Sequence, residues 1–566
     1  MPLRLSWAPC YRCNSEVRPG QRVTVPVAGR RYVGVVHRTG ITPDIDPSRI
    51  QEIIAVNDEL PAVSPEELRF WEFLSSYYLC SIGEVYKAAY PSGKIRSEQK
   101  AASILDRLRQ RLAIREEALS RKHRDNVRER LEAERDAIAR QIETLTRIPD
   151  SPDPAQSSSV PAPHKPLLLI GPARTQRYVT LCRETIAKGL NVLVLLPEIA
   201  ASEQLEAVFK EHFPGVTHKL NSHVTDARRR SVAEDIRHFG GQIVTGTRSA
   251  LFLPFSRLGL VIVEQEQDAY YKQTEPAPRY NARDAAVVLA RIHGAQVVLG
   301  TPAPSLESLH NALTGKYIRE DLPQSLPAPI LIDVNAERRK NGMLGRLSRK
   351  LLEVIAAATS PTAATSPSAA TSPAAATSPS AKTPDGPQPP VVLIRGWEKP
   401  EELQEDVARY IPGRQVDILT APEARLKDLS PYAVVAILQA DALMNADDFR
   451  ADERALQAIA QLRESVRGAF VIQTAKPEHP VFGAFLTQAD NPLDAVYAQL
   501  LEERRQFSLP PFARLVDTVC GNRRERITLA PDGTLAARKK EILGHALQLE
   551  RTSRGRLRTT IDVDPL

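Results

Sequence analysis

Short unbroken apolar runs alternate with helical patterns through the middle of the chain. Leu167–Ile170, Ile243–Val244, Leu258–Val263 and Val297–Leu299 each give way to polar residues with a helical pattern beyond. Runs of this kind are buried parallel strands of an α/β sheet. Val391–Ile394, Val416–Leu419 and Val434–Leu438 predict a second, smaller lobe of the same class. In such sheets the working residues sit just past the strand ends. Those positions carry Thr245-Gly246-Thr247-Arg248-Ser249, then Glu264-Gln265-Glu266-Gln267-Asp268, then Gly300-Thr301-Pro302. An acidic cluster straight after a Val-Ile-Val strand is where a nucleotide-dependent motor holds magnesium.

The flanks have other rhythms. Gln21–Val27 and Arg31–His37 alternate as strands around a turn at Ala28-Gly29-Arg30, and Pro65–Tyr78 has helical spacing at Leu68, Phe70, Trp71, Leu74 and Tyr78. Ser97–Arg147 is helical, charged and free of Pro and Gly. Interleaved charges there predict a long solvated helix or helical hairpin; the run from Arg121 to Arg124 keeps open a basic arm on DNA. Pro149–Pro166 is a Pro/Ser linker, and Thr359–Lys382 repeats Thr-Ser-Pro-Xaa-Ala-Ala as a low-complexity tether too small and too regular in proline to bury a core.

Composition adds limits. A chain of 566 residues with 42% hydrophobic content has room for several globular domains. No run approaches the roughly 18 apolar residues of a membrane helix. With no signal-peptide core near Met1, the expectation is a cytoplasmic, nucleoid-associated protein with no membrane partner. Five scattered cysteines predict no disulfide framework, and the lone Cys10-x-x-Cys13 pair predicts two ordinary thiols rather than zinc. A net charge of +7 suits a polyanion partner.

The stretch from Gln242 to His310 is similar to the first motor lobe of the replication restart helicase family PriA, also called primosomal protein N-prime. The family order Gly-Thr-Arg-Ser-Ala-Leu-Phe, Asp-Glu-Glu-His-Asp, Tyr-Lys-Gln and Arg-Tyr-(His/Asn)-Ala-Arg-Asp recurs here at 246–252, 264–268, 271–273 and 279–284. Further matches lie at Leu196–Ile199, Ala446–Arg454, Phe470–Pro480, Glu502–Phe512 and Thr560–Pro565. The resemblance implies a 3′-end-binding domain at the N-terminus, where Pro9-Cys10-Tyr11 stands for the family's Phe-Asp-Tyr. It also implies ATP and magnesium as cofactors, and DNA, other primosome proteins and single-strand-binding protein as partners. The DNA-contacting residues it implies are Tyr11, Arg22, Arg248, Ser249, Lys272, Arg279, Tyr280 and Arg283. Arg248, Arg283 and Asp284 also fit internal ion pairs or caps. No winged helix is visible before the first lobe, and the family's zinc-binding module between the lobes has no counterpart in the sequence.

The motor chemistry departs from the family. A phosphate loop needs G-x-x-x-x-G-K-[ST], its glycines letting backbone N–H groups wrap the phosphates. Here Gly171-Pro172-Ala173-Arg174-Thr175-Gln176-Arg177-Tyr178 has no second glycine and no lysine, leaving Gly171, Arg174 and Thr175 as a remnant. Glu264 retains a carboxylate for a metal, but Gln265 stands where the family's Glu polarises water, and an amide is no general base. Gln267 replaces the histidine, and Gln457–Gly468 lacks the family's arginine motif.

The expected architecture is α/β: two RecA-like helicase lobes, the second reduced, after a small β-rich DNA-binding domain and a charged helical segment. The expected boundaries are 1–93 for the N-terminal domain, 94–148 for the charged segment, 149–166 for the linker and 167–325 for lobe 1. Then follow 326–356 as lobe connection, 357–389 as low-complexity linker, 390–480 as lobe 2 and 481–566 as C-terminal domain. The expected function is a fork-binding restart protein that supports primosome assembly without efficient unwinding. The alternative is an active ATP-dependent 3′-to-5′ helicase.

Overall fold

The computed structural model describes residues 1–566 except 6–8, 44–45, 92–100, 122, 148–163, 198, 222, 324–325, 327, 359–388, 445–447, 487–492, 554–557 and 566. Both sequence-predicted linkers therefore lie almost wholly outside the described residues, as do Glu198 and Ala446–Asp447 of the family matches. The chain divides into two compact units. One comprises Met1–Thr301, Glu307–Asp321 and Arg504–Leu566; the other comprises Pro302–Leu306 and Leu322–Glu503.

The first unit begins with β1 (Arg22–Val27) and β2 (Arg30–Val35), an antiparallel pair closed at Val27↔Arg30. The intervening Ala28 and Gly29 both have positive φ, 48° and 75°, the mirror-image turn whose twist matches a two-residue hairpin. The short β3 (Ala55–Val56) pairs on the other side of β1. Next come α1 (Pro65–Tyr77) and α2 (Ile82–Ala89), each opened by a reciprocal capping box, Ser64 with Glu67 and Ser81 with Glu84. The charged segment is a helical hairpin, α3 (Ala101–Leu119) and α4 (Asp125–Arg147).

Seven strands then form one parallel sheet: β4 (Leu167–Ile170), β5 (Asn191–Leu195), β6 (Thr217–Leu220), β7 (Ile243–Gly246), β8 (Leu258–Glu264), β9 (Gln296–Thr301) and β10 (Ile318–Asp321). Their spatial order is β10-β4-β9-β8-β5-β7-β6. The central strands are buried along their length, as unbroken apolar runs require when both faces are covered. Helices α5 (Arg174–Ala187), α6 (Ile199–His212), α7 (Asp226–His238) and α8 (Ala282–His293) connect them. The unit closes with a three-stranded antiparallel sheet, Arg514–Cys520 between Arg523–Leu529 and Thr559–Val563, and the helix Leu535–Thr552.

The second unit carries a five-stranded, all-parallel sheet in the order Ile330–Asp333, Ala469–Thr474, Val434–Ile437, Val391–Arg395, Val416–Thr420. The fold is thus α/β with two parallel lobes. Two expected boundaries move. Ile330–Asp333 was expected within a lobe connection, yet it pairs with Ala469–Thr474 and belongs to the second sheet. Its run Ile-Leu-Ile-Asp is too short to declare itself a strand without its partner. Residues 481–503, expected in the C-terminal domain, belong to the second unit, and the first resumes at Arg504.

Candidate nucleotide site and nucleic-acid interface

The sheet order sets β9 between β4 and β8, so the ends of all three strands meet. Gly171 follows β4 with φ 123° and donates its N–H to Thr301 O at 3.0 Å. The chain then turns through Pro172 and Ala173 directly into α5 at Arg174. With so short a loop the Arg174 side chain folds back over its own helix start. Its Nη1 donates to Gly171 O, its Nη2 meets Glu264 Oε1 at 2.6 Å and its Nε meets Glu264 Oε2 at 3.2 Å. One turn further on, Tyr178 donates its hydroxyl to Glu264 Oε2 at 2.5 Å. Only 5% of the Arg174 side chain reaches solvent.

Gly300 makes room for this cluster. A Cβ there would lie 1.6 Å from Tyr178 Oη and 2.9 Å from Glu264 Oε2, so any other residue would displace the phenol. The carboxylate that a motor would offer to magnesium is therefore held by a forked guanidinium and a phenol. The fork matches both carboxylate oxygens, the strong geometry for this pair. ATP and magnesium do not fit the residues present: the cradle is too short, and the metal ligand is already neutralised.

The rest of the acidic motif also serves the interior. Gln265 adopts φ 52°, turning the chain sharply after β8. Glu266 is buried, ion-paired with Arg283 Nη1 at 3.1 Å, and accepts from Ser308 Oγ at 2.8 Å. Gln267 Oε1 accepts from Thr301 Oγ1 at 2.7 Å. Asp268 caps the turn Ala269–Tyr271 by accepting from Tyr270 N at 2.9 Å. Tyr271 donates to Leu195 O at 3.0 Å and Glu264 O at 2.6 Å, and burial pushes its phenol far above the ordinary value. In the second unit, the helix Ala451–Ser465 stands where the arginine motif was expected. There Glu453 accepts from Leu306 N at 2.9 Å, and Gln457 donates to Pro304 O at 3.3 Å.

A model of the PriA 3′DNA-binding domain matches residues 3–91. The replication restart protein PriA of Rickettsia conorii is 24% identical, over 96% of this chain and 90% of its own. The chain is similar to PriA along almost its whole length. The same protein of Chlamydia pneumoniae is 27% identical over 62% of this chain and 56% of its own, so that alignment spans little more than half of the relative. That of Chlamydia trachomatis reaches 38% over 30% of this chain. Among solved structures, RecG bound to a three-way DNA junction has 12% identity and a TM-score of 0.39, covering 84% of this chain and 56% of that one. So distant a likeness adds nothing to the site.

The PriA motifs survive as scaffold, and this corrects several DNA contacts expected from the resemblance. Lys272 is fully buried: it ion-pairs with Asp562 at 2.6 Å and donates to Val563 O at 2.7 Å and Arg279 O at 2.8 Å. Tyr280 is buried, donates to Arg248 O at 3.2 Å and packs edge-on to Phe252. Arg283 is taken by Glu266 and Asp284. Arg22 donates to Pro61 O at 2.7 Å and lies over the Tyr90 ring. Desolvation makes each of these side chains an internal fastener, which a phosphate cannot reach. Tyr11, Arg248, Ser249 and Arg279 are only partly buried. Arg248 donates to Lys272 O at 2.7 Å, Arg279 pairs with Glu275 at 2.5 Å, and Tyr11 donates to Pro26 O at 3.0 Å.

Sequence reasoning missed the role of Tyr178 and of Gly300. Tyr178 lies four residues after Arg174 on the same face of α5, and Gly300 sits opposite Glu264 in the β8–β9 register. Both signals were in the sequence, but they acquire meaning only once β9 is known to lie between β4 and β8.

Proposed function

We propose that this chain is a replication restart protein that binds branched DNA and supports primosome assembly without ATP-driven unwinding. It works in the cell interior with other primosome proteins and single-strand-binding protein. The observation that carries the second half is the Arg174–Glu264–Tyr178 cluster. Hydrolysis needs a carboxylate free to hold a metal and a base to activate water. Glu264 is engaged by a buried cation, and Gln265 supplies no base. The 3′DNA-binding module, framed by the β1–β2 hairpin and α1, supports the first half. Lobe 1 then acts as a rigid platform joining that module to the C-terminal sheet, through Tyr77 donating to Asp564 at 2.8 Å and Lys272 to Asp562.

The test measures two quantities on one preparation. Fork affinity is compared with that for an equal-length blunt duplex at fixed moderate salt, and phosphate release from ATP is followed with and without the fork. Preferential fork binding with no DNA-stimulated release is the expected result. DNA-stimulated turnover that Glu264→Ala abolishes would establish the helicase alternative instead. Equal affinity for fork and duplex would remove the restart function.

A further inference from the structure

We propose that the tip of the α3–α4 hairpin is a duplex-DNA contact, gripping the phosphate backbone of one arm of the branched substrate. This deepens the restart reading and rests on it. Among the described residues, the hairpin meets lobe 1 midway along its helices. Leu108 and Ile138 pack with Phe239, Arg107 pairs with Glu234 and Asp235, and the Glu134 backbone lies against the position of Gly215. Beyond Glu134 the hairpin leaves the body. Every described residue from Ser120 to Arg130 is exposed, including the whole circumference of the first α4 turns. At 1.5 Å per residue, the nine-residue step from Glu134 to Asp125 carries the tip about 14 Å beyond its anchorage.

Charge is concentrated at that end. The sequence from Leu119 to Arg128 holds four Lys/Arg against a single Asp. Among the described residues, Arg121, just past the end of α3, pairs with Glu117 at 3.0 Å, and Arg128 pairs with Glu132 of its own helix at 3.2 Å. Their side chains are 71% and 64% exposed. Exposed pairs of this kind are weak and readily exchanged for a phosphate. By contrast, the buried Arg22, Lys272 and Arg283 are unavailable to a ligand.

The choice of duplex over single strand follows from what the hairpin lacks. Residues 101–147 contain no Phe, Tyr or Trp, and the imidazole of His123 is the one ring at the tip, so the tip offers little surface for stacking unstacked bases. Its recognition is mainly by charge, and duplex DNA presents about one phosphate charge per 1.7 Å of axis. Val127 and Ile114, both exposed, add short apolar contacts to the sugar edge without the reach to stack.

The test uses the full chain and the triple variant Arg121→Ala/Arg124→Ala/Arg128→Ala, with circular dichroism and a melting curve to confirm an intact fold. Anisotropy titrations on a fork with duplex arms and on a single strand are repeated across a salt series. The expected result is affinity for the fork weakened about tenfold to a hundredfold, with a salt slope shallower by about 0.9 for each phosphate contact removed. Single-strand affinity should change little. A wild-type chain that binds the fork while the variant binds it equally well, with the same salt slope, overturns the tip contact and leaves the restart reading standing. A wild-type chain that binds no DNA overturns both.

Discussion

Two arginine-bearing regions of the first unit, one in lobe 1 and one in the helical hairpin before it, make a pair of opposites. At the strand ends, Arg174 is sealed against Glu264 and Tyr178, with 5% of its side chain exposed. At the hairpin tip, Arg121 and Arg128 stand mostly in solvent. The same residue type is a buried fastener in one place and a solvent-exposed, locally paired charge in the other. Burial decides which. A desolvated cation must keep its partner, because losing one side of a buried pair costs about 3–5 kcal/mol, whereas an exposed pair is worth at most about 1. At the strand ends the carboxylate of the acidic motif is met by a cation from its own chain.

The sharpest way to break that comparison is at Lys272, whose side chain is fully enclosed. Lys272→Met leaves Asp562 and the carbonyls of Val563 and Arg279 without their cation, and also removes the ammonium 5.6 Å from the Tyr78 ring. A loss of about 3–5 kcal/mol in urea unfolding is expected. A loss below about 1 would mean that the first unit does not depend on this joint.

Arg174 comes next. Arg174→Ala strands the Glu264 carboxylate, and a loss of about 3 kcal/mol is expected because Tyr178 still donates to it. Adding Glu264→Gln should recover part of that loss, and the double-mutant cycle isolates the pair from its surroundings. Additivity of the two changes would break the view of this site as a self-neutralised pair. Neither variant should gain ATP turnover, since Gln265 remains.

A titration extends the rule to a neutral base. His293 lies in the last turn of α8, facing Glu66 and Arg69 of α1, and burial lowers its pKa from 6.5 to about 4. Between those values the unfolded chain binds a proton that the folded chain refuses. Stability therefore falls as pH drops from 6.5 towards 4, by on the order of 2–3 kcal/mol. His293→Asn should flatten that segment of the pH profile. An unchanged profile would show that the imidazole is hydrated rather than buried.

Much of this architecture was legible in the sequence. The continuous apolar runs at Leu167–Ile170 and Leu258–Val263 became buried parallel strands, and the turn at Ala28-Gly29 became the β1–β2 hairpin. The missing lysine after Gly171 and the glutamine at 265 announced an altered nucleotide site. What the sequence could not convey was occupancy. A motif states which residue types stand in order, but whether Lys272 faces water or Asp562 depends on a strand nearly 300 residues later. Ile330–Asp333 eluded the same reading, because its status as a strand depends on pairing with Ala469–Thr474.

The smallest expected effect completes the comparison from its exposed side. Arg121→Ala/Arg124→Ala/Arg128→Ala should change the unfolding free energy by no more than about 0.5 kcal/mol per site. Each side chain reaches only solvent or a helical neighbour, and exposed substitutions of that kind stay within this range. A loss comparable to that of Arg174→Ala would show that the tip charges are fasteners too, and that the hairpin is packed where it stands exposed here. Near-neutral stability together with weakened fork binding would separate the two populations of arginine by function, the buried one holding the fold and the exposed one available to a phosphate backbone.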